Sequence, residues 1–135
     1  MREVLTGRCL CGSIRYQCGP WLYPPTLCHC ESCRRASGAP ALGWVTVNTS
    51  HLEYTAGAPR EFASSAGVKR GFCGHCGTPL TYRSAQRPGE IDLTIGSLDE
   101  PARAAPVDHI WMQDAPDWDR PQDGLPQHAA TRSRP

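Results

Sequence analysis

No stretch of this chain is apolar enough, for long enough, to cross a bilayer as a helix. The opening segment from Met1 to Gly7 also lacks the apolar run of a secretory signal peptide. A surplus of either charge is missing too. Fourteen Lys and Arg stand against 13 Asp and Glu, a formal balance of +1, and thirteen of the basic residues are Arg. That balance argues against a surface built to bind a polyanion. There is no convincing amphipathic helix of ordinary length, no internal repeat beyond short cysteine motifs, and no linker separating two domains. A single domain is expected.

What the chain has instead is turns, short β-rich runs and cysteine. Thirteen Gly and 13 Pro punctuate it. Ser13 to Gln17 alternates with period two, and Leu42 to Val47, Leu52 to Thr55 and Glu61 to Ser65 read as further strands. Val68 to Phe72, Pro79 to Arg83 and Ile91 to Ile95 complete the set, with one or two helical turns expected over Cys30 to Arg35. The predicted fold is mainly antiparallel β. From about Arg120 the composition turns to Pro, Gln, Arg and Ala, so residues 1–127 are assigned to the domain and 128–135 to a loosely ordered tail.

The eight cysteines are distributed as Cys9-x-Cys11, Cys28-x-Cys30-x-x-Cys33 and Cys73-x-x-Cys76, with Cys18 alone. Without an export signal, such a set points to metal or redox chemistry and a cytoplasmic location rather than to disulfides. Tetrahedral zinc with bonds of about 2.3 Å wants sulfurs roughly 3.8 Å apart. A C-x-x-C knuckle meets that demand, and so does C-x-C, whose cysteines share one face of an extended strand. The simplest partition closes one structural zinc site with Cys9, Cys11, Cys73 and Cys76, tying the start of the domain to its middle. Cys28, Cys30 and Cys33 then form a second site with three thiolates and a fourth position to fill. Cys18, His29 or His75 could fill it; otherwise water or a substrate thiol does, which is the arrangement of a catalytic zinc. Counting seven cysteines as thiolates on two Zn²⁺ moves the charge balance to about −2, further from nucleic acid. Three thiolates make zinc a weak electrophile toward water but leave it able to accept a soft ligand, which favours sulfur chemistry over hydrolysis.

With these motifs in view, the chain resembles the glutathione-dependent formaldehyde-activating family, which also includes a centromere protein. The resemblance is carried by Gly7 to Tyr16, Cys28 to Arg34, Gly71 to Leu80, His109-Ile110-Trp111, Ala115 to Trp118 and Asp123 to Pro126. It runs from about residue 5 to about residue 127, and departs from the family pattern at Gln127-His128-Ala129, where an aromatic residue is usual. It implies a folded-over antiparallel sheet (a β-tent) stapled by two zinc ions per chain. It further implies structural ligands at Cys9, Cys11, Cys73 and Cys76 and catalytic ligands at Cys28, Cys30 and Cys33. The type activity is that of a carbon–sulfur lyase, joining glutathione and formaldehyde reversibly into S-(hydroxymethyl)glutathione.

Glutathione carries two carboxylates, so arginines beside the second site are candidate anchors: Arg34 and Arg35, with Ser37 and Gly38 as further donors. Their alternative reading is solvated surface. Trp44 and Trp111 read as pocket walls or as core aromatics, and His109 as a general acid or a hydrogen-bonded structural residue. The leading rival function is a non-catalytic, zinc-stabilised β module for a protein partner. A nucleic-acid-binding zinc ribbon is disfavoured by charge. A methionine-sulfoxide reductase would need an attacking cysteine free of metal, and only Cys18 is left for that role.

Overall fold

The computed structural model describes residues 4–132. Ten strands carry the fold: β1 (Leu5–Arg8), β2 (Arg15–Cys18), β3 (Thr26–Cys28), β4 (Leu42–Asn48), β5 (Glu53–Ala56), β6 (Arg60–Ser65), β7 (Val68–Phe72), β8 (Pro79–Ser84), β9 (Glu90–Thr94) and β10 (His109–Ile110). One short helix, α1 (Glu31–Ser37), lies between β3 and β4. No helix among the described residues is long and apolar enough to cross a membrane.

The strands form two sheets. One has three strands in the order β1-β2-β5; the other has seven, ordered β10-β3-β4-β9-β8-β7-β6. Every pairing is antiparallel except that of β10 with β3. The expected mainly β, folded-over architecture is present, as two sheets rather than one, with an isolated bridge from Gly7 of β1 to Leu98 in the segment after β9.

Side-chain alternation explains why the large sheet has two different faces. Val45 and Val47 of β4 and Ile91 and Leu93 of β9 point to one side, where they pack with Leu5, Tyr16 and Cys18 of the small sheet to make the main core. At about 25 cal/mol per Å² of apolar surface buried, this contact is the main favourable term in folding. The other side carries Trp44, Thr46, Asp92, Tyr82 and Arg70, and the register lines up Thr46, Asp92, Tyr82 and Arg70 as a row across β4, β9, β8 and β7.

The chain end departs from the composition-based reading. Residues 128–132, expected as a loose tail, are docked. The carbonyls of His128, Ala129 and Ala130 accept from the N–H groups of Met112, Gln113 and Trp111, and His128 N–H donates to His109. Arg132 pairs with Asp108 at 2.7 Å. Residues 133–135 lie outside the described residues.

Candidate functional site

Two hairpin tips, one from each sheet, meet at the first cysteine cluster. Cys9 and Cys11 sit in the β1–β2 connection, Cys73 and Cys76 in the β7–β8 connection, and their four sulfurs all lie within 4.8 Å of one another. The two tips use the same local construction. Gly12 N–H donates to Cys9 O and Cys9 N–H to Ile14 O; likewise Gly77 N–H donates to Cys73 O and Cys73 N–H to Thr78 O. Gly12 at φ 79° and Gly77 at φ 80° occupy the left-handed region that reverses the chain, which explains the glycine after each motif. Backbone N–H groups of Ile14, His75 and Cys76 reach sulfur at 3.4 Å. Burial pushes the Cys9 thiol up, but Ile14 N–H and bonds with Cys11, Ser13 and Cys73 outweigh it and bring the pKa to about 7. The Thr78 hydroxyl and backbone draw Cys76 down to about 5. The surroundings thus favour the thiolate at Cys9 and Cys76, whereas Cys11, despite its hydrogen bonds with Ser13, is raised by burial and by its contacts with Cys9 and Cys76.

The second cluster joins Cys28, Cys30 and Cys33, again within 4.8 Å. Cys28 closes β3. Cys30 caps α1, its sulfur accepting the Cys33 N–H at 3.3 Å, and Cys33 faces inward from the first turn. The neighbouring Cys28 and Cys33 thiols hold Cys30 far below the ordinary thiol range, with the Cys33 N–H and Arg70 helping. The same contacts, and burial, push Cys28 up. Of the three thiols, Cys30 is therefore the one whose surroundings favour ionisation.

None of the three suggested protein groups joins these thiols. Cys18 is buried in the main core, where burial raises its pKa to about 11. His75 is exposed at the other cluster. His29 is only 2 % exposed, yet its ring is committed elsewhere. Its Nδ1 meets Asp119 at 3.1 Å and its Nε2 meets His109 Nδ1 at 2.9 Å, while His109 Nε2 meets Asp123 at 2.8 Å. Carboxylates accept, so the outer bonds use Nδ1–H of His29 and Nε2–H of His109, and the central bond needs one proton more than two neutral imidazoles supply. His109 is thus a buried, hydrogen-bonded strand residue that fastens β10 to β3.

The surroundings are aromatic and cationic. Trp44 is buried against Cys28 and Cys33, with Leu42, Tyr82, Ile110 and Trp111 packed around them. Trp111 has φ 58°, the single non-glycine residue with positive φ among the described residues, a conformation a large side chain adopts only when its neighbours enforce it. Of the four candidate contacts, Arg34 is half-buried with its Nε enclosed and lacking a partner among the described residues. Arg35 is exposed and paired with Glu31 at 2.9 Å. The Ser37 hydroxyl donates to Cys33 O, and Gly38, at φ 72°, spends its N–H on Arg34 O. Ser37 and Gly38 therefore finish the helix.

Sequence reasoning missed Arg70, Tyr82, Asp119 and Asp123. For Arg70 there was a signal: in the strand Val68 to Phe72 it alternates with Val68 and Phe72, a charge on the apolar face. Asp119 carried none, its partner His29 lying 90 residues away; Asp123 stood within the segment that carries the resemblance, but nothing there tied it to His109.

The donor sets test whether metal fits. In each cluster the ligand candidates are sulfurs gathered at a spacing a single ion can span, and among the described residues no carboxylate belongs to either cluster. That excludes a hard ion such as Mg²⁺ or Ca²⁺ as the natural occupant and fits a thiophilic ion such as zinc. Among curated proteins none matches the chain. Among solved structures, a crystal structure of a Rhodobacter sphaeroides protein is similar at 20 % identity and a TM-score of 0.61, covering 90 % of this chain and 98 % of that one. At that identity the likeness speaks to the fold alone. The family model for the glutathione-dependent formaldehyde-activating enzyme matches residues 4–114, most of the chain, and the chain belongs to that family.

Proposed function

We propose that the chain binds one zinc ion at each cluster and acts as a carbon–sulfur lyase, reversibly adding a glutathione-type thiol to formaldehyde or another small aldehyde. The observation that carries this reading is a cluster of three thiols with no fourth protein donor among the described residues, Cys18, His29 and His75 all being engaged or placed elsewhere. Cys28, Cys30 and Cys33 would hold the ion, and Cys9, Cys11, Cys73 and Cys76 the structural one. When bound at the three-thiol cluster, zinc supplies Lewis acidity that makes a neighbouring substrate thiol more acidic.

The chain's own residues do the rest. Arg34, with its enclosed and unpartnered Nε, offers a guanidinium to a substrate carboxylate. Trp44 and Trp111 wall the thiols and limit water around them. The substrate sulfur adds to the aldehyde carbon, the C–S bond forms, and the thiol proton ends on the new hydroxyl oxygen; the lyase direction reverses each change. Family membership supports formaldehyde and glutathione as the reactants.

Two-dimensional NMR exchange between glutathione and its ¹³C-formaldehyde adduct tests this, since it reads the catalysed rate above the spontaneous one. The expected result is acceleration by zinc-loaded protein, loss of at least about tenfold with Cys30→Ser, and loss on chelation restored by zinc. Acceleration that survives both treatments overturns the metal-dependent mechanism. Two bound zinc ions with no acceleration for any thiol or aldehyde would leave the non-catalytic β module.

A further inference from the structure

The face of the large sheet that meets the three thiols carries one charge to which no carboxylate is paired among the described residues. Arg70, on β7, is 9 % exposed. Its Nη1 and Nη2 lie 3.7 and 3.8 Å from Cys33 Sγ, and its guanidinium sits over the Tyr82 ring at 5.0 Å from the centroid. Its Nε is buried without a hydrogen-bond partner among the described residues. The carboxylate closest along the cross-strand row, Asp92, is already committed: Arg87 donates to it at 2.7 Å and the Thr46 hydroxyl at 2.7 Å.

A buried guanidinium facing protonated thiols is an uncompensated charge, which folded proteins rarely tolerate. Facing three thiolates around a divalent ion it is matched, because that group carries one net negative charge. The same arithmetic applies to the open position. A neutral donor there leaves the balance as it is, whereas an anionic sulfur adds a second negative charge, which Arg70 offsets in part.

We propose that Arg70 is the built-in counter-charge of the Cys28–Cys30–Cys33 site, favouring its ionised, metal-loaded form and selecting a thiolate over a neutral donor as the fourth partner. Arg70 acts through Cys33 and is a positioning residue. The inference rests on the reading of this cluster as a zinc site, and the test separates the two.

The full chain is loaded by competitive titration of zinc against a chromogenic chelator, comparing wild type with Arg70→Met and Arg70→Lys. The expected result for Arg70→Met is one zinc site weakened by roughly 10- to 100-fold, with the other unchanged. Arg70→Lys, which keeps the charge and loses the planar fork, stays within severalfold of wild type. With cobalt as the probe ion, the sulfur charge-transfer band reports binding of 2-mercaptoethanol, which Arg70→Met weakens by at least tenfold, while binding of imidazole is unchanged. Equal zinc affinity in Arg70→Met and wild type overturns the proposal, as does equal weakening of both cobalt ligands. Should Arg70→Met fail to fold, Arg70→Lys decides, and a tenfold loss there shows that geometry rather than charge was at work. A wild-type chain that binds one zinc ion only sinks the zinc-site reading itself.

Discussion

Cys18 and Cys33 are buried to nearly the same degree, at 2 % and 3 % exposure, yet their chemistry differs because their neighbours do. Cys33 has two thiols and a guanidinium against it. Cys18 has Leu5, Tyr16 and Val47, and burial pushes its pKa from the ordinary 9.0 to about 11, against a backbone hydrogen bond from Leu5. Raised in the folded state, this thiol contributes stability that is fully present below pH 9 and lost as pH rises through about 11. Two units correspond to about 2–3 kcal/mol. Urea midpoints of metal-loaded wild type and Cys18→Ala should therefore converge by about that amount between pH 8.5 and 11; a constant offset between the two proteins refutes the argument. At this scale the sequence revealed a good deal: motif spacing assigned seven cysteines to two clusters, with Cys18 kept only as one candidate for the open fourth position, a place the structure does not give it. It could not give Arg70 its role. The alternation marked the residue as anomalous, but the sulfur that explains it lies on another element and meets it only when α1 packs on the large sheet.

Among elements, the seven strands read from alternation recur with ends moved by a residue or two, and the helical turns expected over Cys30 to Arg35 became α1 (Glu31–Ser37). The strands that went unread are β1, β3 and β10, of four, three and two residues. A period of two has almost nothing to repeat over three residues or two, and β1, as long as β2 and β5, places Gly7 at its second inward position, so its alternation carries no apolar side chain there. The docked chain end was illegible for another reason. Composition reports what side chains can bury, whereas this segment is held largely by main-chain bonds from Trp111, Met112 and Gln113, which His128, Ala129 and Ala130 accept as well as any residue would. Those bonds fix the unusual backbone of Trp111 beside the thiols. Truncation after Pro126 should cost about 2–4 kcal/mol, from several lost hydrogen bonds at about 1 kcal/mol each. It should also shift tryptophan emission to the red as Trp111 relaxes. A truncated chain with unchanged emission and urea midpoint would show that the segment holds nothing in place.

For the molecule as a whole, the two clusters have unequal mechanical roles. The four-thiol cluster clips a hairpin tip of the small sheet to one of the large sheet, so metal there ties together the two layers that enclose the main core. The three-thiol cluster is supplied by one short run of chain. In metal-loaded protein, Cys73→Ser should lower stability by more than about 3 kcal/mol, a fraction of the roughly 10–16 kcal/mol that structural zinc supplies in small domains. Cys30→Ser should cost clearly less; thermal melts of the two variants side by side make the comparison, and the reverse ranking would contradict it. The same difference sets a timetable for a chain emerging from the ribosome. Ligands within a span of six residues find one another almost as soon as they are made, since a short loop closes quickly and at little entropic cost. The layer-joining set must wait until Cys76 has been synthesised. On the two-zinc reading proposed above, the first ion is captured by a nascent segment with no sheet around it, and the second arrives as the seal on a nearly finished fold.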